Sequence, residues 1–558
     1  MTATMLDSVS TQVLATQILG IAEEMSATLI RAAFSPNVKE RADCSTAVFD
    51  ASGRVIAQAQ RVPIHLGSMQ GAVEHLRDRD MRAGDMFVAN DPYTAGGQHL
   101  PDLNLVAPLV LDGQLVAFVA SIAHHSDVGG MLPGLESAAC RSIFQEGIRI
   151  PMVRLVREGR LDNDLMGIVL LNSRAPTDRM GDLQAQIAAN RTGIERLAAV
   201  CRGVETEVVA AAMDGFLAYT GRRFRTAVRE HLDEGVFDAE DWLDHDEPAG
   251  PPVRIAVRLE VANGSLSFDF AGTGAQLATG RNVPLSGLAA TVYTVCKSMI
   301  DPELPPNSGY YDAIAIRASE GTLVNPRPPA PVGARSLTCG VLGDVVAAAL
   351  GRASPGRALA GSGPHAQLVL AGTGEDGRFF VDYETYAGGM GARATHDGLD
   401  AVRIHASGAS NLPVEALEHA YPVRVARYQL REGSGGAGRF RGGMGVRRDY
   451  VMLRDCEVSL SGERQSVAAR GLVGGREGAR GTFLINGEAV PTTVAARPLQ
   501  AGDVLTLLTP GGGGYGAPQE REQAAAAEDV LQGKVSAEQA EQTAGSGCRE
   551  EPIDDEPG

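Results

Sequence analysis

The chain has 558 residues, several times the usual domain size, so roughly two to four packed units are expected. Its formal charge of −18 sets up a surface field that repels phosphate backbones and anionic headgroups, which argues against a nucleic-acid reader or a membrane-surface binder. Seven cysteines (Cys44, Cys140, Cys201, Cys296, Cys339, Cys456, Cys548) stand far apart with no C-x-x-C pair; they fit neither a disulfide framework nor a thiolate zinc knuckle, and imply reduced thiols in a cytoplasm.

From about residue 7 to 34, Leu14, Ile18, Ile21, Met25, Leu29 and Ile30 recur at three- and four-residue steps, so the chain is expected to open with an amphipathic helix. No basic leader precedes it, Glu23 and Glu24 interrupt its apolar run, and no later run reaches the roughly 20 apolar residues that span a bilayer. Two hairpins follow. STAVFDASGRVIAQA turns across Asp50, Ala51, Ser52 and Gly53, and LNLVAPLVLDGQLVAFVASIAHH turns across Asp112 and Gly113.

Three candidate ligands frame the second hairpin. His99 and Asp102, in GGQHLPDL, lie in the loop entering its first strand, and His124 ends its second strand. Antiparallel pairing sets the start of one strand beside the finish of the next, so these residues can converge at one sheet end. Two imidazoles and a carboxylate suit a borderline divalent ion and leave a position open for water or substrate. A structural histidine pair beside a capping aspartate would use the same residues. His125 points the opposite way in an extended strand and is the alternative ligand or a support. Asp43, in KERADCS, either completes the site or pairs with Arg41. Asp127, Gly129 and Gly130 form a turn after the histidines, and Asn90 and Asp91 form one before them, placed to orient ligands.

Residues from about 160 to 235 are expected to be helical, with apolar faces that pack on one another. Strand patterns return at VRIAVRLEVANGSLSFDFAG, proline-rich loops follow, and small residues dominate from about 331 to 375. The stretch from 375 to 515 is punctuated by glycine and reads as β-rich. The polar, acidic end of the chain is expected to be disordered over its last dozen or so residues. The expected class is therefore α+β: a large multi-lobed protein of mixed and antiparallel sheets with a helical segment. Its divisions are an N-terminal α/β metal-site region (1–160), a helical segment (161–245), a mixed α/β middle region (246–375), a glycine-rich β region (376–516), and a C-terminal helix with an acidic tail (517–558).

The nucleotide motifs are weak or missing. TPGGGGYG places Gly511, Gly513 and Gly516 at G-x-G-x-x-G spacing, but Pro518 follows and no βαβ pattern does, so a dinucleotide loop is not expected. The sequence contains no G-x-x-x-x-G-K-[ST], no H-E-x-x-H and no G-x-S-x-G.

Read end to end, the chain resembles the hydantoinase B/oxoprolinase family. The resemblance rests on ERADCS, NDPYTAGGQHLPDL, HHSDVGG, QEGIRIP, LNSR, AQIAANRTG, FDFAGT, NVPLS, NPRPPAPVGAR, HDGLDAVRIH, LPVEALEHAYPVRV, SGGAGRFRGGMGV and TPGGGGYG, in family order. It implies a divalent metal ion (zinc, manganese or iron) held by His99, Asp102 and His124, with Asp43 joining them. It implies His125, Asp127 and Glu146 as candidates for proton transfer. It also implies a separate A-type partner, an actin-like ATPase that binds ATP and phosphorylates a cyclic amide, in a heterotetramer or larger assembly. The metal site would complete hydrolytic ring opening, as in hydantoinases, oxoprolinases and lactamases. A ketone-carboxylase subunit and a noncatalytic scaffold for the ATPase are the competing expectations. A helix around DVLQGKVSAEQAEQ is expected near the end.

Overall fold

The computed structural model describes residues 8–59, 61–77, 79–134, 139–245, 250–405 and 407–544. The N-terminal apolar pattern forms one helix, Ser8–Ala32, which buries Ile18, Met25 and Leu29. It packs on a seven-stranded antiparallel sheet made of β1 (Cys44–Asp50), β2 (Val55–Ala59), β3 (Met86–Ala89), β4 (Asp102–Leu111), β5 (Gln114–His124), β6 (Val153–Arg157) and β7 (Arg160–Leu161). The strand order is β2-β1-β5-β4-β3-β6-β7. Both expected hairpins are present, β1 with β2 and β4 with β5. The β4–β5 turn takes φ of 50° at Asp112 and 78° at Gly113, the left-handed pair that a two-residue hairpin turn demands and Asp-Gly tolerates at low cost.

Side chains alternate along β4 and β5, and both faces are covered. Leu103, Leu105 and Leu109 join the core shared with Ser8–Ala32 and the Pro176–Gly203 helix. Val106, Phe118 and Ile122 join the core shared with the Leu285–Ile300 and Arg335–Ala353 helices. A strand's alternation therefore decides which of two layers each residue meets.

The expected helical stretch is three helices, Asn163–Leu171, Pro176–Gly203 and Thr206–His231. A second sheet, β8 (Gly235–Leu243), β9 (Val253–Ala262), β10 (Ser265–Asp269) and β11 (Ile314–Arg317), has one parallel pair, β10 with β11. The small-residue stretch after 331 contains the Arg335–Ala353 helix, buried along most of its length. Gly340 and Gly343 allow this: an added Cβ would lie 2.8 Å from Pro364 and 2.5 Å from the His405 ring. By length and composition this helix and Val9–Ala32 could cross a membrane, but 83% of the former's apolar window is buried inside the protein, where it serves as a core helix.

The C-terminal half carries two further sheets. One joins β12 (Ala366–Thr373), β13 (Phe379–Tyr386), β16 (Cys456–Ser461) and β19 (Thr493–Leu499); the other joins β14 (Val423–Leu430), β15 (Val446–Met452), β17 (Thr482–Ile485), β18 (Glu488–Val490) and β20 (Val504–Leu508). The glycine-rich loops of this region gather into a backbone-on-backbone bundle. Gly389 N donates to Pro510 O (2.9 Å), Gly512 N to Gly443 O (2.9 Å), Gly443 N to Met390 O (2.7 Å) and Gly513 N to Gly361 O (2.8 Å). A Cβ on Gly512 would sit 2.2 Å from Met390 O, so only glycine admits this spacing. The amides of TPGGGGYG are thus committed to neighbouring carbonyls, the physical reason it is no phosphate loop. The single C-terminal helix expected from the resemblance is two, Gln523–Leu531 and Ala537–Ala544, with Gly533 at φ 66° between them. The expected disordered end lies outside the described residues.

Candidate metal centre

Asp102 opens β4, His124 closes β5, and the two are register partners. They share parity with Val106 and Ile122, so both side chains leave the sheet on the face turned toward the Arg335–Ala353 helix. His99 reaches the same point from the preceding loop. Its Nε2 lies 2.9 Å from Asp102 Oδ1, and His124 Nδ1 lies 3.2 Å from that same oxygen. One ligand atom from each of the three lies within 4.8 Å of the others, and all three residues are buried. Two imidazole nitrogens and a carboxylate oxygen converging from separate elements fit a borderline divalent cation.

The surroundings fix these groups. The Gly333 carbonyl, 3.2 Å from His99 Nδ1, can only accept, so Nδ1 carries a proton and Nε2 is the nitrogen turned toward Asp102. Arg335 Nη2 donates to Asp102 Oδ2 at 2.7 Å, and Arg335 Nε donates to Gln98 Oε1 at 3.2 Å. Burial works to raise the Asp102 carboxyl, but His99, Arg335 and His124 outweigh it and hold the group well below the usual carboxylate range. The His124 ring stacks on Tyr383 with centroids 4.8 Å apart.

Asp43 precedes β1, whose pairing with β5 sets it beside His124; His124 N donates to Asp43 O at 3.0 Å. Its carboxylate lines the cavity that Asp102 and His124 line, but stands outside the three-ligand cluster, 4.0 Å from His65 Nε2. His65, which no sequence motif singles out, is also 4.0 Å from Asp102 Oδ2 and receives or donates a hydrogen bond at 3.0 Å with Ser45 Oγ. Burial lowers its pKa despite the two carboxylates.

The three proton-transfer candidates face elsewhere. His125 flips to the opposite side of the sheet, with Nε2 3.0 Å from Gln186 Oε1 on the Pro176–Gly203 helix; burial, then Arg179, hold its pKa well below the usual value. Asp127 accepts from Arg174 N at 2.6 Å and Arg174 Nη1 at 3.0 Å. Glu146 accepts from Gly333 N at 2.7 Å and Val332 N at 3.0 Å, behind His99, and burial pushes its carboxyl up to about 8. Asn90 donates to Leu100 O (2.8 Å) and Ile148 O (2.9 Å), and Asp91 caps the Tyr93 and Thr94 amides, so both shape the loop that delivers His99.

The cavity beside Asp102 and His124 holds about 40 Å³ of free space. That admits water-sized species, not a ring. Its outer wall brings in Arg335, His365, Tyr383 and Arg403, residues from four distant stretches that no local sequence pattern connects.

The sequence profile described as hydantoinase B/oxoprolinase matches residues 7–518. The chain is 30% identical to the B-type chain of a putative D-/L-hydantoinase of Pseudomonas sp. (strain NS671), over 96% of this chain and 94% of that one. It is 33% identical to a 5-oxoprolinase of Dictyostelium discoideum, matching 92% of this chain but 40% of that longer protein. Among solved structures, an ATP-dependent caprolactamase from Pseudomonas jessenii superposes with a TM-score of 0.90 at 27% identity, covering 98% of this chain and 97% of the other. An acetone carboxylase shares the fold, with a TM-score of 0.88 at 18% identity over 96% of this chain and 79% of that one.

Proposed function

Because the chain belongs to the hydantoinase B/oxoprolinase family, we propose that it is the B-type subunit of an ATP-dependent cyclic amidase and completes the ring opening of a substrate phosphorylated by an A-type partner. The observation that carries this reading is the convergence of His99, Asp102 and His124 at one end of the β4–β5 hairpin. These three would hold a divalent ion (zinc, manganese or iron), with Asp43 facing it across the cavity. When bound, such an ion supplies Lewis-acid activation of water or of the reacting oxygen.

This chain's own residues do the rest. Gly333 and Glu146 set the tautomer and aim of His99, and Arg335 keeps Asp102 ionised. Water adds to the phosphorylated amide carbon and the ring C–N bond breaks to leave an acyl phosphate, which a second water then cleaves to carboxylate and phosphate. The nitrogen departs as the amine with the two protons of the first water. His125, whose Nε2 meets Gln186, and Asp127 and Glu146, whose carboxylates are committed to other partners, are assigned to positioning. ATP is bound by the partner, in a heterotetramer or larger assembly. Six free, buried cysteines among the described residues suit a reducing cytoplasm.

The test is coexpression with a candidate A-type subunit and a product screen over hydantoins, 5-oxoproline and lactams, with and without ATP. Ring opening that needs ATP and is lost in His99→Ala while the complex still assembles supports the reading. Activity unchanged in His99→Ala would make this chain a scaffold, and a requirement for bicarbonate with a ketone substrate would make it a carboxylase subunit.

A further inference from the structure

Arg403 lines the same cavity as Asp102 and His124. It is partly buried, and two of its N–H groups go to Thr385, to Oγ1 and to the backbone carbonyl. Among the described residues no carboxylate lies within ion-pair distance of it, unlike Arg335, whose charge is taken by Asp102 at 2.7 Å. A guanidinium offers five N–H donors in a fixed fork, so three remain without those two. Arg41 adds to the same charge: its Nη2 reaches Thr385 Oγ1 at 3.3 Å, and it too has no carboxylate partner within that distance among the described residues.

Arg403, Arg335 and Arg41 crowd this wall, against two carboxylates that also line the cavity, Asp102, which Arg335 holds, and Asp43. His365, also lining the cavity, has its pKa lowered to about 3 by burial and then by Arg403, Arg335 and Arg41. It stays neutral beside them. Arg403 and Ile404 also line a second cavity of about 450 Å³, large enough for a small ring. A guanidinium with no carboxylate in ion-pair contact, lining both a water-sized cavity and a ring-sized one, suits an anion that arrives with the ligand.

We propose that Arg403, backed by Arg41, forms an oxyanion subsite that takes an anionic group carried by the substrate and aligns the reacting carbon with His99, Asp102 and His124. This rests on the cyclic-amidase reading for the identity of the substrate, though not for the existence of the subsite. Two sources share the chemistry: the phosphoryl group placed by the ATPase partner, or a carboxylate on the ring itself.

The experiment separates these. Chelator-treated chain is titrated with inorganic phosphate by calorimetry, as wild type, Arg403→Met and Arg403→Lys, with thermal melting to verify that each is folded. We expect Arg403→Met to weaken phosphate binding by about ten- to a hundredfold, the loss of one charge-assisted contact, and Arg403→Lys to fall between. With the partner and ATP present, Arg403→Met lowers kcat/KM for caprolactam and 5-oxoproline alike if the phosphoryl group is the ligand, and for 5-oxoproline alone if it is the ring carboxylate. Phosphate affinity in Arg403→Met equal to wild type overturns the subsite. If wild type opens neither ring while the phosphate titration still depends on Arg403, the amidase reading fails and the subsite stands.

Discussion

Asp102 faces His124 directly across the β4–β5 pair, and one oxygen, Oδ1, meets both His124 Nδ1 at 3.2 Å and His99 Nε2 at 2.9 Å. The second oxygen is held by Arg335 at 2.7 Å. The carboxylate is therefore divided between an edge that faces the two histidines and a structural edge held by Arg335. Its charge is balanced on both sides, which lets a fully buried aspartate stay ionised.

Removing the structural edge gives the first prediction. Arg335→Met leaves Asp102 as a buried anion short of its cation, and should destabilise the chain by about 3–5 kcal/mol in urea unfolding. Adding zinc or manganese should recover part of that loss, because an ion that binds only the folded state stabilises it by about 2.7 kcal/mol at a hundred times its Kd. A variant as stable as wild type without metal would contradict this role for Arg335.

Glu146 predicts a pH dependence. Its folded-state pKa of about 8 lies above the ordinary 4.5, so its contribution to stability is fully present below the lower value and is lost as pH rises through the upper one. Stability should fall between those limits with a slope of at most about 1.4 kcal/mol per pH unit from this group. Glu146→Gln keeps an acceptor oxygen where Oε1 meets the Gly333 and Val332 amides, and removes the titration. Urea midpoints at pH 5.5 and 8 should thus differ less in Glu146→Gln than in wild type. Equal differences would assign the slope to other groups.

The glycine bundle predicts a sharp positional contrast. Gly512→Ala and Gly513→Ala would drive a methyl to 2.2 Å and 2.1 Å from the Met390 and Arg470 carbonyls, so each should cost more than about 4 kcal/mol or prevent soluble expression. Gly356→Ala, with nothing within 4 Å of the added carbon, should change stability by less than about 1 kcal/mol. Melting temperatures of the three variants check this.

Local pattern reveals some of this architecture and is silent on the rest. Strand alternation and the Asp112-Gly113 turn are enough to bring Asp102 beside His124 and to send His125 the other way, because a hairpin's register follows from its turn. The partners from afar are not legible: Arg335, Tyr383 and Arg403 arrive from a core helix, a strand of another sheet and a loop, by packing that no spacing encodes. His65 sits in an ordinary apolar run, and Glu146, a proton-transfer candidate by resemblance, turns its carboxylate to the Gly333 amide instead. The flanking pattern of TPGGGGYG sets it apart from nucleotide loops, but its role as bundle centre depends on which carbonyls crowd each Cα, and those come from distant stretches.

A divalent ion held by His99, Asp102 and His124 would be retained by the purified protein and lost with the Asp102 carboxylate. Elemental analysis of the purified full-length chain, as wild type and Asp102→Asn, tests this most directly. About one divalent ion per wild-type chain is expected, and less than about a tenth of that in Asp102→Asn, with both proteins folded. Equal metal content in the two, or none in a wild-type chain that still opens rings with its partner and ATP, would contradict it.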